Sequence, residues 1–178
     1  EAIRRGEVAQ VVLAGGMATR FGGVVKGVVE ALEGRSFLSW KLGETARLAA
    51  ALDAQIPVCL MTSFATDEAT RAHVAALDVP EPLWFSQFVA PRLTRDGGLL
   101  RDAEGAVSLY APGHGDLLEA LQRAGLIEQL GAAGVKVVLV SNVDNLGARV
   151  DPVIVGEHLA SGVPMTGEVS RKAGDTGG

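Results

Sequence analysis

The chain has 178 residues, of which 48% are hydrophobic and 21% are charged, and its formal net charge is -5 at pH 7. This length suffices for one domain with its own core or for part of a larger one. The acidic balance argues against a surface that binds nucleic acid or an anionic membrane. No apolar run is long enough to span a bilayer, and no apolar leader precedes the first predicted strand, so we expect a cytoplasmic protein.

The single cysteine, Cys59, excludes an internal disulfide and stands in the apolar run PVCLM. That setting predicts a buried, inert thiol. The chain begins at Glu1 rather than at a methionine and ends on a glycine pair without a closing element. We therefore expect native sequence to be missing at both ends, with residues 1–178 forming part of a larger domain.

The first half of the chain alternates predicted strands with predicted helices. An apolar run at 9–14 predicts a buried parallel strand that ends in a glycine pair. A helical face follows over 36–54, with Ser36 as its N-cap. A second strand is predicted at 57–63, and a second helix, acidic in its first turn, at 66–78.

The second half is more varied. Residues 82–94 predict a strand with prolines at its ends, and residues 97–113 predict a small hairpin. A helical pattern with glycine stops occupies 115–134 and indicates one or two helices. Three predicted elements then close the chain: a strand at 136–145, a helix that begins at Asp151-Pro152, and a strand that begins within 164–172.

This alternation predicts an α/β fold with a doubly wound, mainly parallel sheet and no internal domain boundary. Ligands of such sheets bind beyond the carboxyl ends of the strands. Polar or glycine-rich segments stand at those predicted ends, namely Gly15-Gly16, Thr62-Ser63, Gln87 and 142–145. The pattern alone therefore predicts a ligand site at this edge of the sheet.

The glycine loop at 11–27 has the sequence VVLAGGMATRFGGVVKG. It lacks the Ser or Thr that follows the lysine of a P-loop, and its glycine spacings do not fit the dinucleotide fingerprint. Glycine N–H groups, together with Arg20 and Lys26, could nevertheless hold and neutralise a triphosphate. From this segment alone, a tight turn with two solvated cations is an equally good interpretation.

The loop resembles the signature LxGGxGTRxGxxxPK of the UDP-sugar pyrophosphorylases. Ala18 stands where glycine is usual, Val25 replaces the proline before the lysine, and the loop is one residue shorter. The matching positions are Leu13, Gly15, Gly16, Thr19, Arg20, Gly22 and Lys26. The resemblance implies a Rossmann-like, GT-A-like nucleotidyltransferase sheet, with the nucleotide bound by Leu13, Ala14, Gly15, Gly16 and Lys26.

Further segments match the same family in the same order. The segment LMTSFATDEAT at 60–70 resembles a stretch that lies near the nucleotide, although core packing is the preferred interpretation of Met61. The segment FSQFVAPRL at 85–93 contains Gln87, to which the resemblance assigns the recognition of uracil. An amide can donate and accept at a pyrimidine edge, whereas a solvent-facing glutamine is the simpler alternative.

The segment YAPGHGDLLEAL at 110–121 resembles the PGHGD motif of glucose-1-phosphate uridylyltransferases. The resemblance implies that Gly113 contacts uracil and that His114 contacts the sugar phosphate. It favours glucose, because the N-acetylglucosamine branch has an Asn-Gly-Gly version of the motif. The start of a helix also favours an anion, but a lone histidine in a glycine loop would by itself indicate only a surface residue.

The segment VLVSNVDNLGARVDP at 138–152 resembles the SNIDNLGA motif of the same enzymes. Asp144 follows a predicted buried strand, and a carboxylate beside a triphosphate is a natural Mg²⁺ ligand, directly or through water. The resemblance places Asn142 on the sugar-phosphate side. A plain polar turn is the alternative. The final stretch, GEVSRKAGDTGG at 167–178, resembles the family's segment that leads to a Gly-Gly pair.

Together the motifs imply a uridylyltransferase that makes UDP-glucose and pyrophosphate from UTP and glucose 1-phosphate with Mg²⁺. The resemblance assigns catalytic roles to Lys26, Arg20 and Asp144. Other residues that the family uses lie beyond residue 178, so we expect the 178-residue piece, a partial catalytic domain, to be inactive by itself. The alternatives are a UDP-N-acetylhexosamine pyrophosphorylase, a non-catalytic nucleotide-binding protein of the same fold, and an α/β domain without a nucleotide site.

Overall fold

The computed structural model describes residues 1–18 and 23–169. The strands in those ranges are β1 (Val8–Leu13), β2 (Met17–Ala18), β3 (Val24–Val25), β4 (Glu30–Leu32), β5 (Arg35–Ser36), β6 (Val58–Thr62), β7 (Leu83–Ser86), β8 (Ala90–Pro91), β9 (Leu109–Tyr110) and β10 (Val137–Asn142). The α-helices are α1 (Phe37–Leu52), α2 (Asp67–Ala75), α3 (Leu117–Arg123), α4 (Leu126–Ala132) and α5 (Pro152–Ser161). Single 3₁₀ turns span Lys26–Val28 and His114–Asp116.

The central sheet has four parallel strands in the order β10-β1-β6-β7. The chain first moves outward from β1 through β6 to β7, then returns to place β10 on the other side of β1. The strand order therefore reverses between β1 and β10. In an open α/β sheet, the crevice for a ligand lies at such a reversal, beyond the carboxyl ends of the strands.

Helices cover both faces of this sheet, which confirms the predicted doubly wound architecture. Val11 of β1 belongs to a buried cluster with Leu121 of α3 and Leu130 of α4. Its neighbour Val12 points to the opposite face, where it shares a cluster with Leu38 of α1. Burial of each such aliphatic side chain contributes about 1.5–3 kcal/mol, so β1, buried along its whole length, is the centre of the fold.

Helix α1 begins as the sequence predicts, because the Ser36 hydroxyl accepts a hydrogen bond of 3.0 Å from the Ser39 backbone N–H. It ends at Asp53, which adopts a left-handed conformation with φ 49°. The buried face of α1 contains polar as well as apolar side chains at helical spacing, namely Leu38, Lys41, Leu42 and Thr45. Two polar positions on a buried helix face require partners inside the protein.

The single strand predicted over 82–94 is wrong. Strand β7 ends at Ser86, and the backbone N–H of Gln87 makes the last bond of the ladder, to the Thr62 carbonyl at 2.9 Å. The next N–H, of Phe88, donates to the carboxylate of Asp116 at 2.8 Å instead. A side chain far along the chain therefore diverts the backbone from the sheet after β7.

The predicted hairpin at 97–113 forms part of a longer excursion. Ala90 pairs with Tyr110 and Pro91 with Leu109 in antiparallel register, so the ribbon begins before residue 97. Two isolated bridges, Leu93 with Leu99 and Arg101 with Val107, close separate turns within the excursion. The pairing partners of the excursion are all local, which makes it an appendage of the central sheet.

The remaining predictions are mostly confirmed. The helical stretch 115–134 is divided into α3 and α4 at Gly125, where φ is 70°. Asp151 caps α5, because its carboxylate accepts from the Val153 N–H at 2.7 Å. The strand predicted within 164–172 is absent from 164–169, and its last residues lie outside the described ranges.

Cys59 and Met61 both lie in the core, as predicted, with no exposed side-chain surface. Burial raises the pKa of the Cys59 thiol to about 11, which keeps it protonated and inert near neutral pH. Across residues 1–18 and 23–169, none of the helices combines the length and apolarity needed to cross a bilayer.

Candidate active site

The first part of the site is the contact between Gly15 and Gln87, beyond the carboxyl ends of β1 and β7. The Gln87 side chain is only 5% exposed. Its amide lies so close to Gly15 that a Cβ atom added there would be 2.2 Å from Gln87 Oε1 and 3.4 Å from the Thr62 carbonyl. Only glycine admits this approach, so the fold itself brings together two residues predicted to bind the nucleotide.

Strand β6 supports the same edge from between these two strands. The Ser63 hydroxyl donates to the Gly15 carbonyl at 2.9 Å, and the Ser63 N–H donates to the buried Thr66 hydroxyl at 3.0 Å. The Thr62 hydroxyl donates to the Asp67 carboxylate at 2.6 Å. These bonds hold the backbone after β1 and leave the Gln87 amide in place beside it.

The second part of the site lies where β1 and β10 end. Lys26 Nζ is 3.0 Å from Asp144 Oδ2, and the two side chains are 36% and 37% exposed. The Lys26 N–H also donates to the Gly16 carbonyl at 3.3 Å. The predicted phosphate lysine and the predicted metal carboxylate, 118 residues apart, therefore meet at the reversal of strand order.

The end of β10 and the turn that follows it present exposed polar side chains on either side of a buried residue. Val143 is buried and its N–H donates to the Leu13 carbonyl at 3.1 Å, which continues the pairing with β1. Its neighbours Asn142 and Asp144 are exposed. Because Val143 is anchored to β1, the side chains of Asn142 and Asp144 on either side of it are exposed at the carboxyl edge of the sheet.

The third part is the loop that carries Gly113 and His114. Gly113 has φ 105° and ψ -175°, a conformation that residues with a side chain rarely adopt. His114 is exposed and starts a 3₁₀ turn that leads into α3. In the described ranges, no hydrogen bond or ion pair joins His114 to Asn142 or Asp144. A shared ligand would have to connect these two parts.

Two residues matter that the sequence did not single out. Asp116 links the glycine–histidine loop to the Gln87 segment, since its Oδ2 accepts from the Phe88 N–H and its Oδ1 is buried without a partner in this structure. Lys41 is 1% exposed, and its ammonium contacts Ser141 in β10 and Ala148 beyond the turn that follows it. Burial lowers the pKa of Lys41 to about 8, against the attraction of Glu44 and Asp144. The signal in the sequence that could have indicated a buried Lys41 is its position among apolar residues on one face of a predicted helix.

We expect Asp116→Ala to lower the free energy of unfolding by about 1–2 kcal/mol, because the partly buried Phe88 N–H loses its acceptor. UTP affinity should fall as well, since Gln87 directly precedes Phe88. Thermal unfolding and calorimetric titration of the full-length protein measure the two effects. Glu119→Ala, on the exposed side of α3, is the matched control and should change neither.

Three residues that match the family signature, Thr19, Arg20 and Gly22, lie outside the described residues, so the catalytic role of Arg20 stays a prediction. Within the described ranges, no cluster of three or more His, Cys, Asp or Glu residues could hold a metal ion. Magnesium does not need such a cluster, because one or two carboxylates and the phosphates of a substrate commonly hold it. The hard oxygens of Asp144 fit that donor set.

The parallel sheet and the polar residues along its carboxyl edge define a doubly wound α/β domain with a candidate ligand site at the reversal of strand order. A family model described as UTP–glucose-1-phosphate uridylyltransferase matches residues 4–177. The chain belongs to this family. The resemblance inferred from the short motifs therefore reflects a real relationship rather than coincidence.

Individual relatives agree with this assignment. The chain is 34% identical to the UTP–glucose-1-phosphate uridylyltransferase of Saccharomyces cerevisiae over 172 residues, which cover 93% of this chain and 34% of that protein. It is 30% identical to UDP-N-acetylglucosamine diphosphorylase 1 of Arabidopsis thaliana, covering 96% of this chain and 38% of that protein. The chain thus spans about a third of the length of these relatives.

A solved structure shows the same fold. A mutant UDP-glucose pyrophosphorylase from Leishmania major, crystallised with UDP-glucose, superposes with a TM-score of 0.78 at 27% identity. The superposition covers 87% of this chain and 34% of that one. This likeness confirms the predicted nucleotidyltransferase type of sheet.

Proposed function

We propose that the full-length protein transfers a uridylyl group from UTP to glucose 1-phosphate, forming UDP-glucose and pyrophosphate. The observation that carries the proposal is the meeting of Lys26 and Asp144 at the strand-order reversal, beside the Gly15–Gln87 contact. This edge offers a cation and a carboxylate for a metal-bound triphosphate, next to an amide that suits a pyrimidine. Membership of the family supports the same reaction.

The reaction needs little covalent help from the protein. A phosphate oxygen of glucose 1-phosphate attacks the α-phosphorus of UTP in line, the bond from that phosphorus to the bridging oxygen breaks, and pyrophosphate leaves with the bonding electrons. A phosphate is already a competent nucleophile, so the protein contributes position and charge. No general base or covalent intermediate is required.

Each part of the site has a role in this scheme. Lys26, together with Arg20, neutralises phosphate charge, and Asp144 would hold Mg²⁺, which when bound supplies further charge neutralisation on the phosphates. His114 and Asn142 would orient the sugar phosphate. The nucleoside is held by Leu13, Ala14, Gly15, Gly16, Gln87 and Gly113.

The test is pyrophosphate release by the full-length protein with UTP, Mg²⁺ and either glucose 1-phosphate or N-acetylglucosamine 1-phosphate. We expect glucose 1-phosphate to be preferred, because the chain has histidine in its PGHGD segment. A preference for the acetylated sugar would instead support the second candidate function, which the Arabidopsis relative represents. Binding of UTP without pyrophosphate release in the presence of either sugar phosphate would indicate a non-catalytic protein.

We also place the reaction in the cytoplasm and treat residues 1–178 as a partial catalytic domain. The chain's relatives are about three times as long, so we expect the isolated 178 residues to release pyrophosphate at a small fraction of the full-length rate. A comparable rate from the isolated piece would contradict the partial-domain assignment.

We expect His114→Ala to raise KM for glucose 1-phosphate about tenfold while KM for UTP stays within about twofold, because a lost hydrogen bond to a charged phosphate is worth roughly 1.5 kcal/mol. Initial rates with one substrate varied at a time give both constants. His158→Ala, on α5, is the control histidine and should leave both constants unchanged. An equal rise in KM for both substrates would show that His114 does not act specifically on the sugar phosphate.

A further inference from the structure

Lys41, in the second turn of α1, is the largest almost fully buried side chain among residues 1–18 and 23–169, with 1% exposure. Its ammonium donates to Ser141 Oγ at 3.1 Å and also contacts the Ala148 carbonyl oxygen. Ser141 lies in β10, and Ala148 lies beyond the loop that follows it. A single cation therefore ties the helix to both ends of the segment 141–148.

A contribution to stability does not explain why an ammonium group is buried at this position. Both acceptors are neutral, and moving an ammonium out of water costs several kcal/mol unless a good partner compensates. A methionine would fill similar space without that cost. The geometry instead gives Lys41 something an apolar side chain lacks, which is three directed N–H donors.

The tied segment carries the polar groups assigned to the reaction. Within it the Asn145 N–H donates to the Asn142 carbonyl at 3.2 Å, and the Ala148 N–H donates to the Asn145 carbonyl at 3.2 Å. Val143 anchors it to the core, while Asn142 and Asp144 face outward. Lys41 contacts this segment on its buried side, and Asp144 pairs with Lys26 on its exposed side.

We propose that Lys41 is a positioning residue, which holds segment 141–148 in the conformation that presents Asn142 and Asp144 to the substrates. The role in catalysis rests on the proposed function. The positioning itself rests only on the contacts of Lys41 and can be measured without a substrate.

The test is Lys41→Met in the full-length protein, followed by hydrogen exchange and steady-state kinetics. Amide exchange at Val143, Asn145 and Ala148 should accelerate at least tenfold, because segment 141–148 loses its contacts with the Lys41 ammonium. The value of kcat should fall at least tenfold while KM for UTP changes less than threefold. The melting temperature should stay the same or rise, since a buried charge has been removed.

Thr45→Val is the matched control, because Thr45 lies one turn later on the same buried face and donates to Gln10 at 2.6 Å rather than to the loop. It should lower the melting temperature and leave loop exchange and kcat unchanged. If Lys41→Met leaves exchange and kcat within twofold of the wild type, Lys41 is only a core residue and the proposal is overturned. An equal effect of Thr45→Val on the loop would overturn the proposal as well.

A second variant covers the case in which Lys41→Met fails to fold. Ser141→Ala removes one acceptor of the same ammonium and should accelerate the same three amides severalfold. Unchanged exchange in that variant overturns the proposal. If the wild type releases no pyrophosphate from UTP with any sugar phosphate, the proposed function fails, whereas the exchange measurements still decide whether Lys41 positions the loop.

Discussion

Asp144→Asn in the full-length protein is expected to lower kcat/KM for pyrophosphate formation about a thousandfold. The substitution keeps the size of the side chain but removes the charge that would hold Mg²⁺. It also removes the ionic partner of Lys26. The loss should appear mainly in kcat, because a Mg²⁺ ion held by Asp144 would supply charge neutralisation as pyrophosphate leaves.

The same substitution should hardly affect stability. Lys26 and Asp144 are each more than a third exposed, and ion pairs with that much solvent around them typically contribute about 0–1 kcal/mol. We therefore expect the melting temperature of Asp144→Asn to remain within a few degrees of the wild type. Large catalytic loss with intact stability would separate a functional role from a structural one.

Calorimetric titration with UTP provides a readout apart from turnover. Without Mg²⁺, Asp144→Asn should bind UTP at least as tightly as the wild type, because a carboxylate that repels the triphosphate is gone and Lys26 loses its competing partner. With Mg²⁺, the wild type should gain affinity and the variant should gain much less. Asp78→Asn, an exposed carboxylate beyond the end of α2, should behave as the wild type throughout. If Asp144→Asn keeps kcat/KM within tenfold and the same dependence on Mg²⁺, Asp144 is not the metal residue.

The sequence predicted those features of the fold that depend on local pattern. Local sequence predicts the buried strand β1, the glycine turn that follows it and the cap of α5. Apolar runs, glycine and Asp-Pro indicate the backbone conformation at their own positions. The placement of polar residues at strand ends then located the carboxyl edge. The family resemblance assigned roles to individual residues there.

Features that depend on distant partners were not predictable in the same way. The pairing of Lys26 with Asp144 joins residues 118 positions apart, and nothing in either local sequence identifies the other. The end of β7 depends on Asp116, 28 residues beyond Phe88. A lysine on α1 would ordinarily be assigned to solvent. The position of Lys41 among apolar residues is a local signal, but the partners of its ammonium, Ser141 and Ala148, lie 100 and 107 residues further along the chain.

Gly15→Ala should weaken UTP binding by about thirtyfold or more, which corresponds to about 2 kcal/mol. The new Cβ would stand 2.2 Å from Gln87 Oε1 and 2.9 Å from Gln87 Cδ, so the amide must move. The Thr62 carbonyl, at 3.4 Å, is far enough away for the backbone to stay. The substitution therefore displaces the group assigned to uracil while sparing the sheet, and we expect a loss of stability of only about 1–2 kcal/mol.

A double substitution tests whether the effect runs through Gln87. Gln87→Ala alone should weaken UTP binding to a similar extent, and adding Gly15→Ala to it should cause little further loss, because the clash no longer exists. The double variant should also regain the stability that Gly15→Ala loses. Gly131→Ala, in α4 with open space around its Cβ position, controls for glycine replacement and should bind UTP normally. If Gly15→Ala binds UTP as tightly as the wild type, the Gln87 amide does not recognise the base; if the two losses add, Gly15 acts on the nucleotide through its own backbone.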